Sequence, residues 1–344
     1  AGALHNGPQS AGASPGPACY GNGNDVPTNT DANVALGRLG NSLAGGNITL
    51  DRDAAREAVK LCVANPLEMS IDEAAKSIVS VANANMADAV RLISISRGYD
   101  PRDFALVAFG GAGALHGVAL ARELSIPIVI IPPNPGVTSA LGCLLVDIRH
   151  DLAQSYLMSA SKAEATDIEA NFVKMENEAR KRLETEGVKP KDMILERSID
   201  MMYAGQWRSL KVAVSSPFMS VESTIESFHQ AHELEYAFRR DEANVDLFRL
   251  NLTAIGLTQK AELKRQTKSS QSISPKNTRL VAFDNFESSI ETPIYQHEDL
   301  SAGSKLVGPA IIEQLDSTTL IPPDLRVEVD EWLNIRIFIS EESK

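Results

Sequence analysis

The chain has 344 residues, 43% of them hydrophobic and 23% charged, which is the composition of a globular protein long enough for two domains. Its formal net charge of −12 excludes a nucleic-acid-binding function, because such proteins present a basic face to the phosphates. Three scattered cysteines are too few for a disulfide framework and predict a cytoplasmic location. The longest apolar run, residues 126–146, is interrupted by Pro132, Pro133 and Pro135, so no membrane span is expected there.

The first hundred residues predict a loop segment followed by helices. Residues 1–47 are rich in glycine, proline, serine and asparagine and lead into a short helix within TDANVALGRL. Residues 51–64 have helical spacing, and Ser70 with Glu73 forms a capping-box pattern that opens a long helix ending at Gly98. Apolar residues at three- and four-residue spacing predict the buried face of that helix: Ile71, Ala74, Ile78, Ala82, Ala89 and Ile93.

Residues 104–147 combine a glycine-rich turn with buried strands and an apolar helix. The predicted order is a strand through Phe109, the turn Gly110, Gly111, Ala112 and Gly113, a helix, a strand from Ile126 to Ile131, and a helix from about Thr138 to Leu145. Glycines at a strand end allow a backbone to approach a phosphate or a nucleoside without side-chain obstruction. A tight strand–helix turn without any ligand explains the same residues.

The pattern changes after Asp147. Apolar residues from Ala165 to Leu183 step by three and four and predict an amphipathic helix that stops at Gly187. The remaining predicted elements are strands at 194–203, 209–214 and 246–257, a helix at 221–238, and short strands from 278 onward. We therefore expect an α/β first domain over residues 1–149 and an α+β, largely antiparallel second domain over residues 150–344.

Four polar or reactive residues of the first domain have both a functional and a structural interpretation. His116 lies one helical turn beyond the glycines, where it can face a cleft, and a satisfied histidine at the core rim explains it as well. Asp31 and Asn33 suit a helix start with an N-cap at Thr30 or Asp31. Cys19 lies in a Gly/Pro loop, and packing explains it better than a reactive thiol because no base is near in the sequence.

Two features assigned to the second domain also have both a functional and a structural interpretation. His229 and His232 are three residues apart on a predicted helix and could share a metal-facing side. The HQAHE sequence differs from the HExxH zinc motif, so surface positions are the preferred interpretation. Residues 316–319, DSTT, lie between predicted strands and indicate a turn. No metal ligand is predicted in this chain.

Three blocks of sequence resemble the hydantoinase A / 5-oxoprolinase family, which includes N-methylhydantoinase. They are AFGGAGALHG with PPNPGVTSALGCLL, SAGASPGPACYGNG with TDANVALGRL, and GPAIIEQLDSTTLIPP. These blocks extend from Ser10 to Pro323 and cover nearly the whole chain. The family pattern usually reads GGAGPLH, so Ala114 replaces a proline at the start of the helix.

The resemblance implies that the first domain is part of the second lobe of an actin / sugar-kinase-like ATPase fold. A Gly-Gly pair at a strand end contacts adenine and ribose in that superfamily, which implies cofactor binding by residues 110–113. The helix at residues 140–142 resembles the second connecting helix, where small residues permit a hinge, and close packing in the core is the alternative. The resemblance also places Asp31 and Asn33 beside the catalytic cleft and makes them, with His116, candidate catalytic residues.

The resemblance further implies a function that this chain alone does not complete. Family members are longer, and their N-terminal half carries a DxGGT phosphate loop that does not occur here. The implied protein is the C-terminal portion of an ATP-dependent amidohydrolase subunit, which opens a hydantoin or 5-oxoproline type of cyclic amide through a phosphorylated imidate. ATP and Mg²⁺ are the implied cofactors. The implied partners are the missing N-terminal half, a hydantoinase B-like subunit and further copies of the chain.

Two alternative functions stay open at the level of sequence. Acetone or aromatic-ketone carboxylase subunits activate their substrates with the same ATP machinery, and the features that separate the two chemistries lie outside this sequence. A non-catalytic scaffold domain of the same fold is the other alternative, and the intact Gly110, Gly111 and Gly113 argue against it.

Overall fold

A computed structural model of the chain describes residues 3–95, 98–269 and 273–339. The chain divides into two compact units, of which unit 1 combines residues 1–141 with 262–344 and unit 2 comprises residues 142–261. The predicted boundary near residue 150 lies close to the start of unit 2. The end of the predicted second domain differs from the structure, because residues from 262 onward pack with unit 1.

The secondary structure of the described residues agrees with the predicted order of elements. The helices are α1 Asn29–Ala35, α2 Arg52–Val59, α3 Asn65–Leu67, α4 Ile71–Ile95, α5 Gly113–Glu123, α6 Thr138–Leu145, α7 Ala165–Thr185 and α8 Val221–Tyr236. The strands are β1 Ser42–Leu43, β2 Ile48–Thr49, β3 Ala105–Val107, β4 Ile128–Ile131, β5 Ile148–Ser159, β6 Met193–Tyr203, β7 Leu210–Val214, β8 Val245–Gly256, β9 Asn277–Val281, β10 Ile290–Gln296, β11 Lys305–Val307, β12 Ala310–Glu313, β13 Thr318–Ile321, β14 Arg326–Val329 and β15 Ile335–Phe338.

The predicted strand–turn–helix–strand unit forms the centre of unit 1. β3 and β4 pair in parallel, with Leu106 opposite Val129, and α5 packs against both strands. Gly117 allows α5 to approach the strands closely, since a Cβ on it would lie 3.1 Å from Val129 Cγ1 and 3.2 Å from the Ala108 Cβ. This part of the structure confirms the sequence prediction.

The C-terminal strands complete the sheet that β3 and β4 begin. β15 pairs antiparallel with β4, with Ile335 opposite Ile131, and the full order is β11-β14-β15-β4-β3. Val327, Ile335 and Ile337 are fully buried in the same core as Ile131. The last strands therefore belong to unit 1 and not to the predicted second domain, because their alternating apolar residues fill the core of unit 1.

A second sheet of unit 1 packs on the other side of α5. Its order is β13-β12-β10-β9, with β10 and β12 parallel and the other pairs antiparallel. Leu115 of α5 shares a hydrophobic cluster with Ile311 and Leu320 of this sheet, whereas Val118 shares one with Val129 of the first sheet. The start of α5 is thus held from both sides, which fixes the position of the turn before it.

The long helix α4 begins with the predicted capping box. Ser70 Oγ accepts a hydrogen bond from the Glu73 N–H at 3.2 Å, and Glu73 Oε2 accepts one from the Ser70 N–H at 2.8 Å. By length and composition α4 could cross a membrane, but core helices of soluble proteins meet the same criteria. In unit 1 it contacts α1 and α5.

The predicted buried face of α4 is correct only for its first half. Ala74, Ile78 and Ala82 are buried, whereas Ala89 and Ile93 are exposed, contrary to the prediction. The physical reason is a change of neighbour along the helix, because the later turns pack Ala87 and Val90 into the core that α5 shares with the first sheet.

Unit 2 is an antiparallel sheet covered by two helices. The strand order is β5-β8-β6-β7, and every pair is antiparallel. The predicted face of α7 is buried in its core, with Ile168, Phe172, Met175, Ala179 and Leu183 all at 5% exposure or less. The predicted antiparallel α+β character of this region is confirmed.

Candidate functional site

Unit 1 contains a cavity of about 690 Å³ beside the glycine turn. Its wall includes Gly111 and Ala112 of the turn, His116 of α5 and Asn33 of α1. These residues are far apart in the sequence and were each predicted as site residues. The fold places these residues around one cavity. The other predicted site residues, Gly110, Gly113 and Asp31, lie within two residues of them along the chain.

The first two glycines of the turn serve different purposes. Gly110 has a φ of +85°, a backbone conformation that disfavours any residue with a Cβ, and its N–H donates to the Pro135 carbonyl oxygen at 2.7 Å. Gly111 does not have a positive φ, and a Cβ on it would lie 3.6 Å from the Asp316 carbonyl oxygen, which is an ordinary contact distance. Neither its backbone conformation nor its packing therefore requires glycine. The missing side chain of Gly111 leaves the backbone open to the cavity, which suits a bound ligand.

His116 is a buried, oriented and neutral imidazole. Its Nδ1 lies 2.7 Å from the Asn83 Oδ1 on α4, a partner 33 residues away that no local pattern indicates. Because an amide oxygen only accepts, Nδ1 carries the proton and Nε2 keeps its lone pair. Burial, followed by the nearby Arg38 charge, lowers the pKa of His116 below its usual 6.5, so the imidazole is neutral at neutral pH.

Asp31 organises the loop beside the cavity. Its carboxylate accepts hydrogen bonds from the backbone N–H groups of Ala18, Cys19 and Thr28 and from the Thr28 hydroxyl, at 2.7 to 3.1 Å. The helix cap is Thr28, whose capping box with Asp31 replaces the predicted cap at Thr30 or Asp31. Asp31 is fully buried, and these four donors account for its oxygens without a ligand.

Asn33 differs from Asp31 in having an unused polar atom. Its Nδ2 donates to the Asn29 carbonyl oxygen at 2.8 Å, while its Oδ1 is buried and has no hydrogen-bond donor. The side chain is 2% exposed and lines the cavity. Buried polar atoms in folded proteins are normally paired, so Asn33 Oδ1 is an exception, as are Asn251 Nδ2 and Thr319 Oγ1, which are not in the cavity lining.

The turn between β12 and β13 also lines the cavity, and its residues were not among the predicted site residues. Gln314, Asp316 and Ser317 line the cavity, and Asp316 Oδ2 accepts a hydrogen bond from the Gly136 N–H at 2.8 Å. The predicted turn at 316–319 is half correct, because Thr318 onward forms β13. The GPAIIEQLDSTTLIPP block was the signal that could have indicated this wall.

The ionisable side chains around the cavity are mostly acidic. Glu298, Glu313 and Asp316 line it together with Lys276, and Glu313 is paired with Arg279 at 3.2 Å. This lining favours an uncharged or cationic group over an anion. Within residues 3–95, 98–269 and 273–339, no three His, Cys, Asp or Glu side chains are grouped to hold a metal ion.

The two histidines of α8 are buried, and the predicted surface position was wrong. His229 Nδ1 lies 2.7 Å from the Tyr203 hydroxyl, and His232 Nδ1 lies 2.9 Å from the Phe238 carbonyl oxygen. Both rings pack against Phe228 in an aromatic cluster of unit 2. The surface prediction failed because charge and spacing along α8 do not reveal that β6 carries Tyr203 beneath it.

Cys19 is a packing residue, as predicted. Its side chain is 1% exposed, and burial, with the neighbouring Asp31, raises the pKa of the thiol. A raised pKa keeps the thiol protonated and unreactive. Cys62 and Cys143 are free and exposed.

Helix α6 carries residues 140–142, the predicted connecting helix. None of its residues is buried, and a Cβ on Gly142 would meet nothing within 4 Å. Within this chain the helix is therefore not part of a close-packed core. The division between unit 1 and unit 2 falls between Leu141 and Gly142.

Comparison with known families identifies the chain. Residues 1–152 match the hydantoinase/oxoprolinase family, and residues 157–341 match the hydantoinase/oxoprolinase C-terminal domain. The chain belongs to the hydantoinase/oxoprolinase family. This match confirms the resemblance drawn from the three sequence blocks.

Three relatives match nearly all of this hydantoinase/oxoprolinase chain. An uncharacterized protein of Methanocaldococcus jannaschii is 41% identical over 97% of the chain, caprolactamase subunit alpha of Pseudomonas jessenii is 35% identical over 96%, and acetophenone carboxylase gamma subunit of Aromatoleum aromaticum is 32% identical over 95%. The chain spans between 47% and 49% of the length of these relatives.

Two solved structures share the fold. The crystal structure of ATP-dependent caprolactamase from Pseudomonas jessenii matches with a TM-score of 0.76 and 32% identity. The match covers 99% of this chain and 50% of the caprolactamase chain. The nucleotide-free structure of acetone carboxylase has a TM-score of 0.85 and covers 98% of this chain and 50% of its own, with 22% identity. These similarities confirm the predicted combination of an α/β region with a largely antiparallel α+β region.

Proposed function

We propose that this chain is the C-terminal portion of an ATP-dependent cyclic amide hydrolase subunit, in which the turn at residues 110–113 contacts the adenosine end of ATP. The observation that carries the proposal is the open backbone at Gly111 beside a cavity, in a chain 35% identical to caprolactamase subunit alpha. A glycine that neither backbone strain nor packing requires is best explained by the close approach of a ligand.

The cavity fits a nucleoside better than a triphosphate. Glu298 and Asp316 would repel phosphates, while the charge of Glu313 is offset by Arg279, and a nucleoside presents uncharged hydrogen-bonding groups. The described residues offer no cluster of metal ligands. We therefore assign the phosphate contacts and the Mg²⁺ ligands to the N-terminal half that the relatives possess. ATP, when bound with Mg²⁺, would supply a phosphoryl group to the amide oxygen, which would make the amide carbon more electrophilic toward water.

His116, Asn33 and Asp31 take different parts in this proposal. His116 presents a neutral Nε2 lone pair, with Nδ1 fixed by Asn83, and can accept a proton from a bound group. Asn33 lines the same cavity and helps to shape its wall. Asp31 acts indirectly, because its oxygens are occupied by backbone donors that hold the loop and the start of α1 in place.

A ketone carboxylase subunit is the second candidate, favoured by the 32% identity to acetophenone carboxylase gamma subunit. Both reactions begin with ATP-dependent activation of a carbonyl oxygen, and the cavity described here would serve either. A purely structural scaffold explains Gly111 less well, because a scaffold has no need for an open backbone at a cavity.

The proposed partners are the N-terminal half, a hydantoinase B-like subunit and further copies of the chain, in the cytoplasm. We assign the first of these to the edge of the sheet at β3. Among the described residues β3 pairs with β4 alone, and Val107 of β3, with Phe104 and Phe109 just outside it, is about half exposed, at 49 to 50%. An apolar edge strand is normally covered in a finished protein, and we assign this cover to the N-terminal half.

ATP binding to the 344-residue chain tests the nucleotide contact. We expect weak binding, on the order of millimolar because the phosphate contacts are missing, with NMR shifts at residues 108–117. Gly111→Val should abolish it, since the branched side chain enters the cavity. Gly142→Val is the matched control, because its position is open and distant in sequence. ATP binding that survives Gly111→Val would overturn the proposal.

The activity is tested with the N-terminal half added from the same gene. ATP hydrolysis stimulated by a lactam or hydantoin would support the amide hydrolase, whereas stimulation by a ketone alone would favour the carboxylase. Neither activity is expected from the 344-residue chain by itself, because phosphoryl transfer requires the phosphate loops and the metal.

A further inference from the structure

Two chain segments meet at one end of unit 2 and form a continuous surface. The first is the loop after β6, residues 204–209, and the second runs from the last turn of α8 to β8, residues 233–244. The Ala204 N–H donates to the Asn244 carbonyl oxygen at 2.8 Å and joins the two segments. Residues 204–209 and 233–244 are called the loop end of unit 2.

The loop end exposes large aromatic side chains. Trp207 is 86% exposed, and Tyr236 and Phe238 are exposed as well. The aromatic residues of the two segments are neighbours, because Gln206 Nε2 lies 3.2 Å from His232 Nε2 and the Phe238 ring centre lies 4.8 Å from that of His232. Tryptophan and tyrosine are the residues that most often anchor protein interfaces, so this surface has the composition of a binding site for another protein.

Two arginines stack on these rings and have no carboxylate partner among the described residues. The Arg208 guanidinium carbon lies 5.0 Å from the Trp207 ring centre, and that of Arg240 lies 5.6 Å from the Phe238 ring centre. The adjacent Arg239, in contrast, has two carboxylate partners. Arg208 and Arg240 are therefore exposed positive charges that are available to another molecule.

The loop end also carries unpaired negative charges. Glu233, Glu235 and Glu242 are exposed, and their carboxylates have no hydrogen bond or ion pair with any residue that the structure describes. They lie within a few residues of Phe238 and Arg240 along the chain. One surface thus combines exposed aromatic rings with unpaired charges of both signs.

This combination is self-complementary. A two-fold symmetric dimer places a surface patch against a second copy of itself, so the patch must supply both members of each interaction. Between two loop ends, the aromatic rings can bury one another while Arg208 and Arg240 of one copy pair with Glu233, Glu235 and Glu242 of the other. A partner whose surface carried only one sign of charge would set like charges against each other, which disfavours binding.

We propose that the loop end of unit 2 is the surface through which two copies of this chain form a two-fold symmetric dimer. Trp207 is the main apolar contact of this dimer, and the arginine–glutamate pairs between copies fix its orientation. The dimer does not depend on the nucleotide contact of unit 1, so either proposal can fail alone.

Analytical ultracentrifugation of the 344-residue chain over a range of concentrations tests the dimer. We expect a dissociation constant on the order of micromolar or tighter. Trp207→Ser should weaken association about thirtyfold, the value of an interface anchor. Trp332→Ser is the matched control, because it makes the same change at an exposed tryptophan of unit 1 and should leave association unchanged. Thermal melting establishes that each variant is folded.

The fluorescence of Trp207 tests the position of the interface. The chain has two tryptophans, so Trp332→Ser leaves Trp207 as the only one. Its emission should shift to shorter wavelength as the concentration rises through the dissociation constant, because the ring leaves water. Emission that stays constant while the chain dimerises would place the interface elsewhere and overturn the inference.

Exchanging the charges tests the pairing between copies. One variant carries Arg208→Glu with Arg240→Glu, and the other carries Glu233→Lys, Glu235→Lys and Glu242→Lys. Each variant alone should associate at least about tenfold more weakly than wild type, because like charges then face each other. An equimolar mixture should recover a mixed dimer, since every pair is again of opposite sign. Misfolded variants could not recover in this way, and folded variants that fail to recover would reject the pairing.

Three further results would overturn the inference. The first is a chain that stays monomeric up to about a millimolar concentration. The second is a dimer that Trp207→Ser leaves intact. The third concerns another occupant, the N-terminal half added from the same gene. If this half shifts the Trp207 emission and abolishes the dimer, the loop end is its docking site and not a contact between copies.

Discussion

Units 1 and 2 both bury polar side chains, but they use them differently. In unit 2, Arg197 is 2% exposed and pairs with Glu169 and Glu176, and His229 and His232 each have a hydrogen-bond partner. At the unit 1 cavity, Asn33 and Gln314 keep an acceptor without a donor. Unit 2 also holds one such atom, Asn251 Nδ2, so the contrast lies between the cavity of unit 1 and the charged and aromatic clusters of unit 2.

The aromatic cluster of unit 2 shows how complete such pairing can be. The Tyr203 hydroxyl accepts from the Arg240 N–H at 2.8 Å and can donate to His229 Nδ1. His232 donates from Nδ1 to the Phe238 carbonyl oxygen, and Gln206 Nε2 lies 3.2 Å from His232 Nε2. Hydrogen bonds within the protein account for His229 and His232, so no metal is needed to explain their burial. This is stronger evidence for a structural role than their three-residue spacing along α8.

The largest expected effect concerns the charged cluster of unit 2. Arg197→Ala should destabilise the protein by about 3 kcal/mol, because Glu169 and Glu176 lose their counter-charge in a mostly buried site. This is the low end of the usual range since Glu169 is 27% exposed and can recover some solvent. Urea unfolding measures the loss. Arg182→Ala, in an exposed pair with Glu178, should change stability by less than about 0.5 kcal/mol.

The next effect contrasts two glutamines in the two units. Gln206→Met should cost about 1 to 2 kcal/mol, because Gln206 Oε1 accepts from the Tyr203 N–H at 3.2 Å and its Nε2 faces His232. Chemical denaturation with wild type as reference gives the difference. An unaffected midpoint would mean that the cluster in unit 2 is as loosely paired as the cavity.

A smaller effect concerns the pH dependence of stability at His116. Burial lowers the native pKa of His116 below 6.5, so the unfolded chain binds a proton that the native chain rejects. Stability from this group is therefore complete above pH 6.5 and is lost as the pH falls below it. His116→Gln should flatten the slope of unfolding free energy between pH 6.5 and 5 by at most about 1.4 kcal/mol per pH unit.

His297 provides an internal reference for the pH dependence of stability. Burial also lowers the pKa of His297 below 6.5, so its contribution has the same sign and should persist in His116→Gln. Unfolding curves at several pH values separate the two histidines. A slope identical in wild type and variant would show that folding does not lower the pKa of His116, contrary to the shift inferred here.

The smallest expected effect completes the contrast between the glutamines. Gln314→Met should change the free energy of unfolding by no more than about 0.5 kcal/mol, because it removes an unpaired acceptor along with one hydrogen bond. The same urea titration used for Gln206→Met measures it. A loss as large as that of Gln206→Met would show that Gln314 is a structural residue, and the distinction between the two units would fail.

Local patterns were sufficient to predict most elements of the fold. The three- and four-residue steps of α7 and the Ser70–Glu73 capping box depend on neighbours within one or two turns, and the structure confirms them. The glycine turn was also predictable, because a glycine run between an apolar strand and an apolar helix is a local pattern, and the structure gives Gly110 a positive φ. The blocks that carry the family resemblance likewise needed no coordinates.

Tertiary structure alone decided which of these elements meet. An alternating strand such as β15 shows which face is apolar but not which sheet receives it, and its pairing with β4 moved the last strands into unit 1. The same limit applies to His116, whose partner Asn83 lies on another helix, and to the wall formed by Gln314. Periodicity records the burial of a side chain, whereas the identity of its neighbour depends on chain segments that come together only on folding.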